Sequence, residues 1–362
     1  VDELGESAYA RGLNVTLTIN SRYQTEANRA LRQGLLDYDK RHGYRGPMDN
    51  LRIDDMTEEQ IDTALFEFPP SRELMPAMVR AADATGFDVR TRSGIDARVT
   101  LAGMKWARKY QSANSQGPEP VAASDVVNPG DIVYLAPDEE MGWRLSQMPE
   151  VSGALVSLDS RTGAILALTG GFDYYLSKFN RVTQAERQPG SNIKPFIYSA
   201  ALDNGFTPGS LVSGAPIVVE DELEGIWRPE NYSKKFFGPT RLREALSLSL
   251  NLVSVRLLRA MGVDSAIDHL EKFGFDPQRL PRSLSLSLGS TTVTPLEIAR
   301  GYAVFANNGQ RTQPYFISRI EDTEGNPVVI APENPAPCID CAGEAAPENA
   351  ESDTNINDDN QD

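Results

Sequence analysis

The chain has 362 residues, 40% of them apolar, and a formal charge of −16 at pH 7. This length predicts two or three domains with buried cores, and the negative charge opposes binding to phosphate backbones, so nucleic acid is not an expected partner. No run approaches the roughly 20 apolar residues of a membrane-spanning helix, and with only two histidines, His42 and His269, a Ser-His-Asp hydrolase is hard to assemble.

The first 43 residues predict one strand followed by one long helix. Residues 14–18 have the composition of a short strand, and Ser21 is expected to cap a helix whose apolar residues recur at helical spacing. Residues 44–148 then change to short β-like runs between turn residues, which predicts an inserted all-β module, either a small barrel or a sandwich. The runs lie at 86–91, 96–101, 131–135 and 142–146, with a small helix near 57–66.

A second domain is predicted for residues 149–332. Two apolar strands at 153–158 and 164–170 are joined by 159–163, which has the composition of a hairpin turn. Because strands come first and helices later, the order indicates an α+β domain. The predicted helices lie at 191–204, 240–247, 251–260, 264–273 and 294–307.

Residues 333–362 are rich in Pro, Glu, Asp and Asn, so they are predicted to form a disordered acidic tail. The only two cysteines, Cys338 and Cys341, lie in this tail. A thioredoxin-like pair would need a helix N-terminus after a strand, and a zinc site would need two further ligands. A loop disulfide or an idle pair of thiols is therefore favoured over both.

The stretch most indicative of chemistry places Ser191 and Lys194 one helical turn apart, directly after the breaker Pro189-Gly190. At this spacing Lys194 can reach the Ser191 hydroxyl and act as its base. An ordinary lysine is almost fully charged at pH 7, so burial or a second cation must lower its pKa. The helix N-terminus disfavours an ammonium and offers the Ser191 N–H to an oxyanion. The alternative is that Ser191 only caps a helix and Lys194 is solvated.

A second element strengthens the first interpretation. Ser249-Leu250-Asn251 lies between two predicted helices, so Ser249 is expected to relay a proton between Lys194 and a leaving group. Asn251 is expected to hold a substrate amide. A second Ser-x-Asn at Ser112 is discounted because nothing apolar fixes it.

Ser-x-x-Lys followed by Ser-x-Asn opens the triple signature of penicillin-binding proteins and serine β-lactamases, whose third member is Lys-Thr-Gly. The flanking segments resemble the transpeptidase domain of class A, 1A-type penicillin-binding proteins of Gram-negative bacteria. The resemblance covers about 150–332, and a shorter one at 37–47 is similar to the stretch between glycosyltransferase and transpeptidase in that family. The segments that carry the main resemblance are 179–191, 227–232, 248–256 and 289–297.

The resemblance implies an α+β penicillin-binding, transpeptidase-like domain with an antiparallel sheet, incomplete in this chain, and an inserted OB-like module at 44–148. It implies that Ser191 attacks the D-Ala-D-Ala bond of a peptidoglycan stem peptide and passes the acyl group to an amine on a neighbouring strand. Lys194 and Ser249 would serve this catalysis and Asn251 would bind substrate, with no cofactor and no metal.

The resemblance also implies partners and a location. Stem peptides would be substrates, β-lactams inhibitors, and other cell-wall synthesis proteins partners. The chain would act at the periplasmic face of the inner membrane of a Gram-negative bacterium. It begins with Val1 in mid-pattern, so it is interpreted as part of a longer protein whose glycosyltransferase domain and N-terminal membrane anchor precede it.

The sequence departs from the family in one respect, since it contains no Lys-Thr-Gly or Lys-Ser-Gly. The relaxed matches Arg92-Ser93-Gly94 and Arg161-Thr162-Gly163 are expected to be hairpin turns. Without the strand that carries this motif, the 153–170 hairpin should keep an unpaired edge, and the chain alone should be inactive or poorly folded. The alternatives are a D,D-carboxypeptidase or serine β-lactamase-like enzyme, and a non-catalytic binding or scaffold relative.

Overall fold

The computed structural model describes residues 10–52, 56–71, 74–221 and 225–330. Cys338, Cys341 and the predicted acidic tail lie outside these ranges. No helix within them is both long enough and apolar enough to cross a bilayer. The helices are α1 (Ser21–His42), α2 (Glu58–Leu65), α3 (Arg181–Gln184), α4 (Lys194–Asp203), α5 (Leu242–Ser247), α6 (Asn251–Met261), α7 (Val263–Lys272) and α8 (Pro295–Ala306).

The strands of the described residues pair antiparallel throughout, with only isolated parallel bridges, and the expected α+β class is confirmed. The strands are β1 (Asn14–Leu17), β2 (Asp49–Asn50), β3 (Met75–Ala82), β4 (Gly86–Thr91), β5 (Asp96–Thr100), β6 (Tyr110–Ser112), β7 (Ser115–Gln116), β8 (Asp131–Asp138), β9 (Gly142–Ser146), β10 (Leu155–Leu158), β11 (Ile165–Thr169), β12 (Leu211–Ser213), β13 (Val219–Asp221), β14 (Gly225–Trp227), β15 (Pro239–Arg241), β16 (Ile317–Glu321) and β17 (Pro327–Ile330).

Helix α1 begins one residue earlier than expected. Asn20, and not Ser21, is its N-cap, because the Asn20 side chain accepts hydrogen bonds from the backbone N–H groups of Arg22 and Tyr23. The helix then lies along β11, where the Gln24 amide exchanges hydrogen bonds with the backbone of Leu168. These contacts cover one edge of the hairpin, so the expected unpaired edge lies on β10, which pairs only with β11 among the described strands.

Residues 44–148, which we call the β module, contain one six-stranded antiparallel sheet in the order β2-β8-β3-β4-β5, with β9 also paired to β8. The sequence pattern did not predict β3, because both of its faces are buried and no alternation is left. Ala77 and Val79 belong to the main core of the module, whereas Met78 packs on the other side beneath Ile61 and Leu65 of α2.

Helix α4 lies at the centre of the second domain and is buried on nearly every side. One apolar cluster packs its Phe196 and Ile197 against α6, α7 and α8, and another packs Tyr198 and Ala201 against α5 and α6. A helix that is apolar all round belongs in the interior. Its first residue, Lys194, therefore starts inside the protein.

The sheet of this domain joins distant parts of the chain. Strand β1 pairs with β16, which pairs with β17, so the order of strands before helices holds only in part. Strands β16 and β17 lack a long apolar run and are half exposed, which explains why the sequence pattern did not indicate them. Both relaxed third-motif matches lie in turns, between β4 and β5 and between β10 and β11.

Candidate active site

Ser191 lies in a 3₁₀ turn, Gly190–Ile193, that leads into α4. The expected α-helix therefore starts at Lys194, whose backbone N–H donates to the Ser191 carbonyl oxygen. In a 3₁₀ turn residues i and i+3 are eclipsed, so Ser191 and Lys194 share a side of the turn. The Ser191 side chain is exposed and makes no hydrogen bond to any other described residue.

Residues 289–293, for which the sequence predicts no role, pack against this turn and hold it in place. Arg187 and Val293 exchange two backbone hydrogen bonds, and Gly289 lies so close that a Cβ there would come within 2.2 Å of the Gly190 carbonyl oxygen. Gly289 also has a φ of +77°. Only glycine meets both conditions, so residues 289–293 hold the serine turn against α4.

Lys194 is fully buried, which excludes the solvated-surface alternative. Its Nζ donates to the Ser249 carbonyl oxygen at 2.7 Å, to Ser249 Oγ at 3.0 Å and to Asn251 Oδ1 at 2.7 Å. Burial lowers the pKa of Lys194 from its ordinary value to about 8, because the charged form loses its hydration.

These three acceptors decide what the amine can do. The carbonyl oxygens of Ser249 and of the Asn251 side chain only accept hydrogen bonds, whereas Ser249 Oγ both donates and accepts. When Lys194 is neutral, its two N–H groups stay on the carbonyl oxygens and its lone pair is left on the hydroxyl side. The site therefore orients a lysine to receive a proton from a serine.

Ser249 adopts an unusual backbone conformation, with a φ of +53°. It follows the C-terminus of α5, where its N–H donates to Leu246 O and the Leu250 N–H donates to Ala245 O. This is the left-handed position of a Schellman motif, which usually holds Gly or Asn. A serine there costs on the order of 1 kcal/mol, and the turn brings both its carbonyl and its hydroxyl to Lys194.

Asn251 was expected to hold a substrate amide, but in the structure it lies beside Lys194 and its side-chain amide is already engaged. Its Oδ1 accepts from Lys194, and its Nδ2 donates to the Glu230 carbonyl oxygen at 2.8 Å. Asn231, which the sequence analysis left without a role, is buried next to it. The Ser-x-Asn copy at Ser112 is exposed and unconnected to this site.

Ser191, Ser249 and Asn251 line one cavity of about 430 Å³, together with residues 231–233 and 248–250. A larger cavity of about 820 Å³ lies beside Tyr44 and Tyr110 in the β module, but none of its lining residues is Ser, Thr or Cys. The smaller cavity therefore contains the candidate nucleophile Ser191, and Lys194 lies behind its wall, bonded to the lining residues Ser249 and Asn251.

The structure also brings Ser199, His269 and Asp203 into hydrogen-bonding contact, an arrangement that the sequence pattern does not predict. His269 Nε2 lies 2.9 Å from Ser199 Oγ, and its Nδ1 lies 3.2 Å from Asp203 Oδ2. Ser199 lies within α4, where helical hydrogen bonds occupy the backbone N–H groups, so this arrangement has no oxyanion hole.

Two domain families match the sequence. The penicillin-binding protein OB-like domain matches residues 44–151, and the penicillin binding protein transpeptidase domain matches residues 153–337, just over half of the chain. Penicillin-binding protein 1A of Pseudomonas aeruginosa is 47% identical over 90% of this chain and 39% of its own length. The Escherichia coli protein of the same name is 43% identical over 92% of this chain and 40% of its own length.

Solved structures agree with this match. A crystal structure of penicillin-binding protein 1A from Haemophilus influenzae superposes with a TM-score of 0.81 at 37% identity, covering 91% of this chain and 48% of that one. PonA1 from Mycobacterium tuberculosis, in complex with penicillin V, shares the fold alone, with a TM-score of 0.51 at 19% identity over 91% of this chain and 60% of that one. The chain spans about two fifths of the length of these curated relatives.

Proposed function

Because the chain belongs to the penicillin-binding protein transpeptidase family, we propose that it performs serine acyl transfer on the D-Ala-D-Ala end of peptidoglycan stem peptides. One observation carries the proposal. Within the described part of the chain, the fully buried Lys194 amine binds only Ser249 and Asn251, two residues that line the same cavity as Ser191. This is the environment that a lysine base requires.

In the first half-reaction, Ser191 Oγ attacks the carbonyl carbon of the bond between the two D-Ala residues. The hydroxyl proton passes to Lys194 Nζ while the Oγ–C bond forms. The C–N bond then breaks, and the departing D-Ala amine takes a proton from Lys194 through Ser249 Oγ. The product is an ester between Ser191 and the shortened stem peptide.

In the second half-reaction, an amine from a neighbouring stem peptide attacks this ester and releases Ser191, and the proton path runs in reverse. A β-lactam would acylate Ser191 by opening its ring amide. The Ser191 backbone N–H is one oxyanion donor. A second donor belongs to the Lys-Thr-Gly strand of the family, and the loss of one such donor costs about 100- to 1000-fold in rate.

We place this activity at the periplasmic face of the inner membrane, where stem peptides are cross-linked, and expect other cell-wall synthesis proteins as partners. Support comes from the relatives named penicillin-binding protein 1A in Gram-negative bacteria.

Labelling with a fluorescent penicillin tests the acyl-enzyme step. We would compare this chain with a longer form that is extended downstream to include a Lys-Thr-Gly segment. Ser191→Ala should abolish labelling, whereas Ser199→Ala, a serine further along α4, should keep it. If the longer form with Ser191 intact takes no label, the proposal is wrong; labelling of the longer form alone would assign the defect to the missing third motif.

A stem peptide with a free amine acceptor tests the transfer step. Mass spectrometry should find the cross-linked product and free D-Ala. Hydrolysis alone, with the acceptor unused, would point instead to a carboxypeptidase.

A further inference from the structure

The loop before β15 lies beside the active-site cavity and buries one polar side chain, that of Asn231. Asn231 is 3% exposed, whereas the next residue, Tyr232, is fully exposed. Polar side chains are buried when their hydrogen bonds are satisfied inside. The hydrogen-bond partners of the Asn231 side chain therefore indicate why this residue is buried.

Asn231 caps a helix that has no cap of its own. Helix α6 follows Leu250, whose apolar side chain cannot accept a hydrogen bond. The Asn251 and Leu252 N–H groups instead donate to Asn231 Oδ1, at 2.9 and 3.3 Å. Asn231 Nδ2 donates to the Lys235 carbonyl oxygen at 2.8 Å, which closes the loop on itself.

The same loop also holds the side chain of Asn251. Asn251 Nδ2 donates to the Glu230 carbonyl oxygen, and its Oδ1 accepts from Lys194 Nζ. Asn251 is thus fixed by its backbone through Asn231 and by its side chain through Glu230. Two adjacent residues of one loop therefore set where Asn251 Oδ1 meets the amine.

We propose that Asn231 is a positioning residue for acyl transfer: it holds Asn251 so that the Lys194 amine keeps its lone pair toward the Ser249 hydroxyl. This inference rests on the proposed function. Among the described residues, the Asn231 side chain makes no hydrogen bond to Lys194, Ser191 or Ser249, so it acts through Asn251.

The test compares Asn231→Ala and Asn231→Asp with Asn20→Ala in the longer form. Asn20 is a matched control, because its side chain also accepts two backbone N–H groups at a helix start, but it lies at α1. For each variant we would measure the melting temperature, the saturating acylation rate by fluorescent penicillin, its half-saturating concentration, and the pH midpoint of the rate.

We expect Asn231→Ala to lower the saturating rate by about 10- to 100-fold, since small displacements of catalytic groups have costs of this size, with little change in half-saturation. Asn231→Asp keeps the oxygen that accepts from α6 but loses the amide that donates to the Lys235 carbonyl oxygen, so a lower melting temperature is expected. Its new negative charge favours protonated Lys194 and should raise the pH midpoint by about one unit. The charged neighbours Glu230 and Lys234 already pair with each other. The shift of the pH midpoint would therefore report the added carboxylate.

The outcomes separate the two proposals. If the unaltered longer form takes no label, the acyl-transfer proposal fails. If it is labelled, but both Asn231 variants keep its rate and pH midpoint and lose only thermal stability, as Asn20→Ala should, then Asn231 is merely structural and this inference is wrong.

Discussion

The two halves of the molecule surround a positively charged side chain in opposite ways. In the β module, Arg90 makes a two-point contact with the Asp62 carboxylate, at 3.0 and 3.1 Å, and this contact raises the pKa of Arg90. In the second domain, Lys194 is fully buried and its amine meets only neutral oxygens among the residues that the structure describes, so burial lowers its pKa. A paired cation stays charged, whereas an unpaired buried cation is ready to lose its proton.

The largest loss of acylation rate is expected when the side chain at position 194 is permanently charged. Lys194→Arg should lower β-lactam acylation by about 100- to 10,000-fold, because a guanidinium cannot serve as a general base. Rates of fluorescent-penicillin labelling measure the effect. A variant that retains near-normal acylation would show that Lys194 is not the base.

A smaller effect is expected when Lys194 is given a carboxylate partner, as Arg90 has in Asp62. Asn251→Asp should raise the pKa of Lys194, so that acylation at pH 7 falls on the order of 10- to 100-fold and recovers at higher pH. The control is the reverse exchange in the β module, Asp62→Asn, which should leave acylation unchanged. Equal pH profiles for Asn251→Asp and the unaltered protein would contradict the electrostatic explanation.

The unaltered protein should show the same titration directly. With a Lys194 pKa of about 8, acylation should rise roughly fivefold from pH 7 to 8 and by less than about twofold above that. The folded pKa lies below the unfolded one, so the unfolded chain binds more protons between about pH 8 and 10.5. This group therefore adds stability as the pH rises through that window. Melting curves against Lys194→Met would detect it.

The smallest expected effect concerns the backbone at Ser249. Ser249→Gly and Ser249→Ala both remove the relay hydroxyl and should slow acylation alike. The glycine variant should be more stable by about 1 kcal/mol, because only glycine adopts a φ of +53° without strain. Denaturant unfolding of the two variants compares their stabilities, and equal values would show that the left-handed turn carries no strain.

The local sequence pattern indicates the candidate catalytic residues, but it does not indicate the contacts that hold those residues in place. The spacing of Ser191 and Lys194 places both residues on one side of a single turn, where the Lys194 backbone N–H donates to the Ser191 carbonyl oxygen. The left-handed turn at Ser249 and the cap from Asn231 depend on contacts between separate segments, which no local pattern encodes. The cap of α1 was misplaced for a local reason, since Asn20 and Ser21 are adjacent and both residue types are good N-caps. Strand β3 was missed because burial on both faces leaves no alternation.

The loop at residues 230–235 places a buried, hydrogen-bonded residue, Asn231, next to a fully exposed one, Tyr232. Asn231 is held by three hydrogen bonds, while the ring of Tyr232 projects into solvent at the cavity. For the proposed reaction, we expect a different side chain at position 232 to change which acyl donors enter the cavity, while the hydrogen bonds of Asn231 stay in place. Selectivity and reactivity can thus diverge independently, one residue apart.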